Sequence, residues 1–550
     1  MNTEQLFFSV FRNKPLRQKI FHQIFYSYYD YHILKNICQL DRQFDRLSKL
    51  YQYNVPIVYN LATLDNYHIY NSHPHKYLIT HFILSTSFYT CHMDLLDQKT
   101  RENPSIIFGI SIDNESDPII DIDQLPKSIK YFRNTIRLKS QNIPPSVTSV
   151  HIHAKSLEIG AIPSKVKTLV AFISSPGRKI ILDPHAIPSS VTSFSYYEFN
   201  SCMKYVDLNK LPTGLRYLNI NSEVKGNGYG SLKYLTFNLF RKEVTKVDIP
   251  KSVTQLRLSG IESFSMVNFP PNLVHLELEK KNTGHEILAL PKALPPKLKT
   301  LLLKNFTNKD MSKDICPPGV LHFANEFNRT DRSPPFIPPS ATKVSICTDE
   351  IVDQLPYIPP TVTDLKLKRS TFIDNGLSPY NNIVKLYFQH DGHLCPGDVP
   401  SSVTDLTLEY SKSVDKGVIP NSVTKLSLVC NSPVKPIIIP DSVTTLSFEH
   451  QIQLFYPIDI PSSVTKLKCK GLVYDSFSMN LFKNTLSTLC LGQLDHFDNV
   501  VEMIRKSKIP SNIKAIKQTH PDNRCVFYFI DGKVYRESYH EHSSKFQLIQ

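Results

Sequence analysis

Between Ile358 and Cys469 the chain repeats one phrase: IPPTVTDLKL, VPSSVTDLTL, IPNSVTKLSL, IPDSVTTLSF and IPSSVTKLKC. Its V-T-x-L core opens at Val362, Val403, Val423, Val443 and Val464. A phrase that returns at a fixed period commits a chain to an array of stacked units, and this constrains the fold more than any other property of the sequence.

Looser copies extend the register in both directions. The position of Val403 (called V below) recurs at Val147, Val166, Val191, Leu215, Val253, Leu273, Leu298 and Ala341, and at Ile383 without its proline. Weaker copies stand at Leu232, Val320 and Leu486, with worn end copies at Ile129 and Ile513. Together these make nineteen units spaced by about 21 residues on average.

Within a unit the apolar residues fall at V, V+3 and V+5, as in Val403, Leu406 and Leu408. This is the L-x-x-L-x-L spacing of a repeat that contributes one short strand to a curved sheet. V+3 and V+5 share one strand face, while Asp405, Thr407 and Glu409 at V+2, V+4 and V+6 share the other. Proline precedes the strand, where its missing N–H costs the ladder nothing and where it stops a helix from running in. The return segments, such as YSKSVDKG, carry Gly, Ser and Pro without helical period. Extended or 3₁₀ structure is expected there. A single unit buries too little apolar surface to offset the entropy of ordering it, so stability must come from neighbours.

The phrase IP-x-S-V-T-x-L-x-L at this period resembles the FNIP repeat, a leucine-rich-repeat-like family of amoebozoa. The resemblance covers about residues 120–520. It departs in the Phe-Asn pair after the strand, which Phe199-Asn200 approximates and most copies lack. The family implies an interaction scaffold and no known chemistry.

The ends differ from the array. Asp531-Gly532 lies between two β-rich runs, CVFYFI and KVYR, a type I′ hairpin signal. At the other end Leu34, Ile37, Cys38, Phe44, Leu47 and Tyr51 follow a 3–4 period that predicts helix, as do Ile20, Phe21, Ile24 and Phe25. Pro15 to Phe44 resembles a degenerate F-box in the order of its proline, paired apolar residues and terminal Phe, with Gln18-Lys19 where an acidic residue is usual. That resemblance implies binding to the adaptor of a cullin–RING ubiquitin ligase. The plain alternative is a helical cap over the first repeat. YLITHFILSTSFY (77–89) is too short and polar to cross a membrane and reads as buried strand or helix.

The chain carries 63 basic and 49 acidic side chains, net +14, a balance that attracts acidic partners. Outward strand positions in the second half gather Lys343, Lys366, Lys368, Lys385, Lys425, Lys466, Lys468 and Lys470, against Asp364, Asp405, Glu409 and Glu449. This makes the concave face moderately basic. It reads either as a docking surface for an acidic protein segment or as a solvated face on which lysine keeps a β array from associating. Nucleic acid is disfavoured, since no long basic run and no RNP, KH or zinc-finger pattern occurs.

Ten cysteines, scattered without C-x-x-C, fit a reducing compartment. With no signal-like apolar region in MNTEQLFFSVFRNK, a cytoplasmic or nuclear protein is expected. No phosphate loop, dinucleotide fingerprint, nucleophile elbow or H-E-x-x-H occurs, so no cofactor and no enzymatic site are expected. His151 and His153 share an outward strand face and could ligate a metal with a third residue from the next unit, or be ordinary surface histidines; His73, His75, His68 and His81 stand in the same position.

The expectation is a mainly β, leucine-rich-repeat-like curved parallel sheet. It has a helical head (1–60), a transition segment (61–120), an array (121–523) and a C-terminal hairpin cap with tail (524–550).

Overall fold

The computed structural model describes residues 32–34, 37–42, 44, 47–48, 51, 57–102, 109–113, 125, 129–137, 143–154, 157–173, 183–198, 206–221, 224–226, 230–238, 247–261, 267–280, 290, 293–306, 316–327, 336–348, 357–370, 377–390, 392–430, 437–448, 460–469, 488–491, 515–519, 524–530, 533–538 and 545–548. The chain forms two compact units: Met1–Cys202 with Tyr539–Ser544, and Met203–Ser538 with Lys545–Gln550.

In the first unit, strands pair in parallel and in chain order: β1 (His32–Leu34), β2 (Ile57–Leu61), β3 (His81–Ser85), β4 (Gly109–Asp113), β5 (Tyr131–Arg137), β6 (Ser149–Ala154), β7 (Thr168–Ile173) and β8 (Ser193–Glu198). The parallel sheet therefore starts inside the expected helical head and continues through the transition segment. Helix is present only in part: α1 (Gln39–Arg42) follows β1, α2 (Leu64–Ser72) joins β2 to β3, and α3 (Thr86–Glu102), broken at His92, joins β3 to β4. These are β-α-β crossovers, which parallel strands require. Thr63 caps α2 in a reciprocal box with Asn66. The helix buries Tyr67 and Tyr70, the latter edge-on to Phe82 of β3 with ring centroids 5.0 Å apart. Leu34, Ile37 and Leu47 are buried as expected, but Leu34 lies in a strand. A strand–turn–helix can bury residues at 3–4 spacing just as one helix does.

In the second unit, parallel strands begin at Tyr217, Tyr234, Gln255, His275, Thr300, His322, Lys343, Asp364, Lys385, Asp405, Lys425, Thr445, Lys466, Thr488 and Ala515. Each pairs with the next. With β5 to β8, these starts fall at V+2 of all nineteen sequence units. After the last parallel strand the direction reverses. Arg524–Ile530 pairs antiparallel with Ala515–Thr519, Lys533–Ser538 with Arg524–Ile530, and Lys545–Leu548 with Lys533–Ser538. The pairing Ile530↔Lys533 brackets Asp531-Gly532, which lie outside the described residues. Beyond residue 121 the described return segments hold 3₁₀ turns at Pro184–Ala186 and Leu208–Lys210 and two-residue parallel pairs such as Val206–Asp207 with Val224–Lys225.

The structure explains each letter of the phrase. Pro-x-Ser-Val is a turn closed by the V amide on the proline carbonyl, as in Val423 N to Pro420 O at 3.1 Å. The serine hydroxyl then donates to the V carbonyl of the preceding unit, at 2.8 Å for Ser402, Ser422, Ser442 and Ser463. Threonine at V+1 repeats the device on the neighbouring V+1 carbonyl, as in Thr424 Oγ1 to Thr404 O at 3.3 Å, an oxygen that already accepts the Thr424 and Lys425 amides. Such stitches contribute about 1 kcal/mol each and fix the register between turns. Val403, Leu406 and Leu408 are fully buried. So is the residue before the proline, as at Ile358, Ile419 and Ile439. Each unit thus fills the interior from both of its walls.

Candidate functional site

The two units differ in the outward columns V+2, V+4 and V+6. In the first unit the columns are aromatic. Tyr131 lies between His81 and His151, with centroids at 5.2 and 5.6 Å. His153 stacks on Phe172 at 4.6 Å, and Phe172 on Tyr197 at 4.8 Å. Burial holds the His81 imidazole down to about 3. Burial, then the Arg133 and His153 charges, holds His151 down to about 4. His151 is therefore in tilted contact with Tyr131, and His153 is stacked on Phe172. Among the described residues, neither belongs to a cluster with metal-ligand spacing. His73 and His75 instead face Asp41, at 3.3 and 3.8 Å.

In the second unit Tyr217 and Tyr234 continue the aromatic V+2 positions, and from Gln255 onward charged side chains enter the columns. Glu277 lies between Arg257 at 3.5 Å and Lys304 at 3.1 Å. Further on, the V+2 column runs Lys343, Asp364, Lys385, Asp405, Lys425, Thr445, Lys466 across paired strands. Lys343 meets Asp364 at 3.7 Å. In the V+4 column Lys366 sits over the Tyr387 ring, 4.9 Å from its centroid. The Tyr387 hydroxyl donates to Glu409 at 2.5 Å; burial and that hydrogen bond push its pKa up. In the V+2 column the expected basic strip thus alternates with aspartates up to Lys425, while in V+4 Lys366 lies between Ser345 and Tyr387.

Lys466 and Lys468, both exposed, pair across the sheet with Thr445 and Ser447 on one side and with Thr488 and Cys490 on the other. Of the expected lysines, Lys368 is half-buried and Lys385 and Lys425 are exposed. Lys470 lies outside the described residues. So does most of the F-box-like stretch 15–44, in which His32–Leu34 is a strand paired to Ile57–Tyr59 where the resemblance implies helix. Reasoning from sequence missed the stacking of Phe172 and Tyr197, although both occupy V+6 and could be found from the register. Among the described residues, no helix is long and apolar enough to cross a membrane.

No curated protein matches the chain. A model of the FNIP repeat family matches residues 390–431, two consecutive units of the array, and the same turn, stitch and strand recur in register on either side of them. The chain is an FNIP repeat-containing protein, folded as a mainly β solenoid of parallel strands.

Proposed function

We propose that the protein is a non-enzymatic interaction scaffold that takes an acidic protein segment along the outward strand face of its second unit. The observation that carries this reading is the strand Lys466–Cys469. Both of its lysines are exposed and stand opposite Thr and Ser on one side and Thr and Cys on the other, whereas Lys343, Lys385 and Lys425 each adjoin an aspartate in the V+2 column and Lys366 is half-buried against Tyr387. A ladder holds adjacent strands about 4.8 Å apart, so the exposed lysines of this strand are presented at fixed spacing. A complementary carboxylate-bearing segment would recover its interaction without reorganising the sheet. Interior positions are filled by Val and Leu, which leaves the outward columns as the variable surface.

The test replaces Lys466, Lys468 and Lys470 with Glu in the full chain. Proteins captured from a cell lysate by the immobilised wild type and variant are compared by mass spectrometry. The expected result is at least a tenfold loss of the captured acidic partners with an unchanged melting curve. Equal capture by both proteins would remove this strand as the docking site.

A further inference from the structure

We propose that His393, Cys395 and Asp415 form a zinc-binding site that staples two consecutive turns on the return side of the array. The Nδ1 or Nε2, Sγ and carboxylate atoms they offer all lie within 4.8 Å of one another. Imidazole, thiolate and carboxylate together suit Zn²⁺, with a fourth position left to solvent.

The backbone builds this cluster from two chain segments 20 residues apart. Leu394 and Val414 form an isolated parallel bridge, with Leu394 N donating to Ser413 O at 3.2 Å and Asp415 N to Leu394 O at 3.0 Å. Leu394 is fully buried. Alternation along extended backbone sends its neighbours His393 and Cys395 to the opposite side, beside Ser413 and Asp415. Cys395 opens a turn, Cys395-Pro-Gly-Asp398, closed by Asp398 N to Cys395 O at 3.1 Å. Its amide also donates to the Asp398 carboxylate at 2.7 Å. Gly397, at φ 99°, supplies the left-handed residue that turn needs. Asp415 opens the equivalent turn of the next unit, closed by Val418 N to Asp415 O at 3.3 Å, with Gly417 at φ 89°. Two ligands are thus the first residues of matching turns.

The histidine is already aimed. Its Nδ1 lies 2.6 Å from Ser413 Oγ and its Nε2 3.0 Å from Asp415 Oδ2. A ligating imidazole commonly has its other nitrogen held by such a partner, which fixes tautomer and ring direction. Tetrahedral zinc at ordinary bond lengths separates nitrogen and oxygen ligands by about 3.3 Å. The metal therefore needs the His393–Asp415 contact to open by only a few tenths of an ångström. On binding, the Cys395 thiol loses its proton to solvent and coordinates as thiolate, His393 binds as neutral imidazole, and no redox change occurs.

Full-length protein is titrated with Co²⁺ as a spectroscopic probe and with Zn²⁺ by calorimetry. The expected result is one site per chain, a thiolate-to-cobalt band in the near ultraviolet, and displacement of Co²⁺ by Zn²⁺. C395S should abolish the band, and H393A and D415A should each weaken Zn²⁺ at least tenfold, with unchanged circular dichroism. A wild type that shows no band, a band that survives C395S, or zinc affinity equal in wild type and H393A would overturn the site.

Discussion

The outward face of β5 to β8 and that of the strands from Gln255 onward share one backbone, one register and one interior pattern, yet they are held by different physics. In the first, His153, Phe172 and Tyr197 lie on each other with ring planes within 18° of parallel. In the second, Arg257, Glu277, Lys304, Lys343 and Asp364 meet as ions. The difference teaches that the phrase specifies the interior and the turn, while each outward column is free to take any side chain that tolerates a copy of its neighbour about 4.8 Å away. Aromatics do so by stacking, and charges by alternating sign.

The largest effect should come from what the regions share. Leu406→Asp puts a carboxylate into a fully buried position and should cost more than about 4 kcal/mol. The neighbouring outward change Thr407→Asp should stay within about 1 kcal/mol. Chemical denaturation of the two variants checks this, and a near-wild-type midpoint for Leu406→Asp would invert the assignment of faces.

The next pair sharpens the contrast itself. Phe172→Ala removes two stacked contacts and should cost about 2 kcal/mol at any ionic strength. Glu277→Gln weakens two ion pairs and should cost about 1 kcal/mol at low salt, fading at 1 M. If both costs respond to salt alike, the two faces do not differ in kind.

The last test reads a slope. Unfolded His151 takes up a proton as pH falls through about 6.5, but folded, half-buried against Tyr131 and near Arg133, it stays neutral down to about 4. Between those values the unfolded chain binds more protons, so stability falls with acidification and is recovered above them. His151→Gln should reduce the pH dependence of unfolding free energy in that window by about one proton. A slope unchanged by the substitution would mean that His151 titrates normally when folded.

The strand starts were legible because Pro-x-Ser-Val closes a local turn and so writes the register into four adjacent residues. The first four strands were not legible for the converse reason. None of His32–Leu34, Ile57–Leu61 and His81–Ser85 is preceded by Pro-x-Ser-Val, and α-helices join β2 to β3 and β3 to β4. Around His32–Leu34 the apolar residues carry a mixed period that reads as helix, and 77–89 reads as strand or helix alike. The outward columns were only half legible. Alternation identified which lysines face out, but the partner of each lies about 21 residues away, so the neutralising sequence Lys343, Asp364, Lys385 emerges only once strands are aligned. Cys395 and Asp415 pose the same difficulty. They stand eight residues before Val403 and Val423, equivalent positions that no local motif connects.

The serine and threonine stitches carry a further consequence. Ser402, Ser422 and Ser442 each donate to the same kind of carbonyl at the same distance, and Val403 and Val423 are 20 residues apart. Excising one whole period would therefore join a donor to an acceptor identical with the one it lost, and duplicating one would supply both. An array with interchangeable joints can lengthen or shorten by recombination between its own copies. The number of units is then a matter of genetic history, whereas the chemistry of each outward column is left to selection one residue at a time.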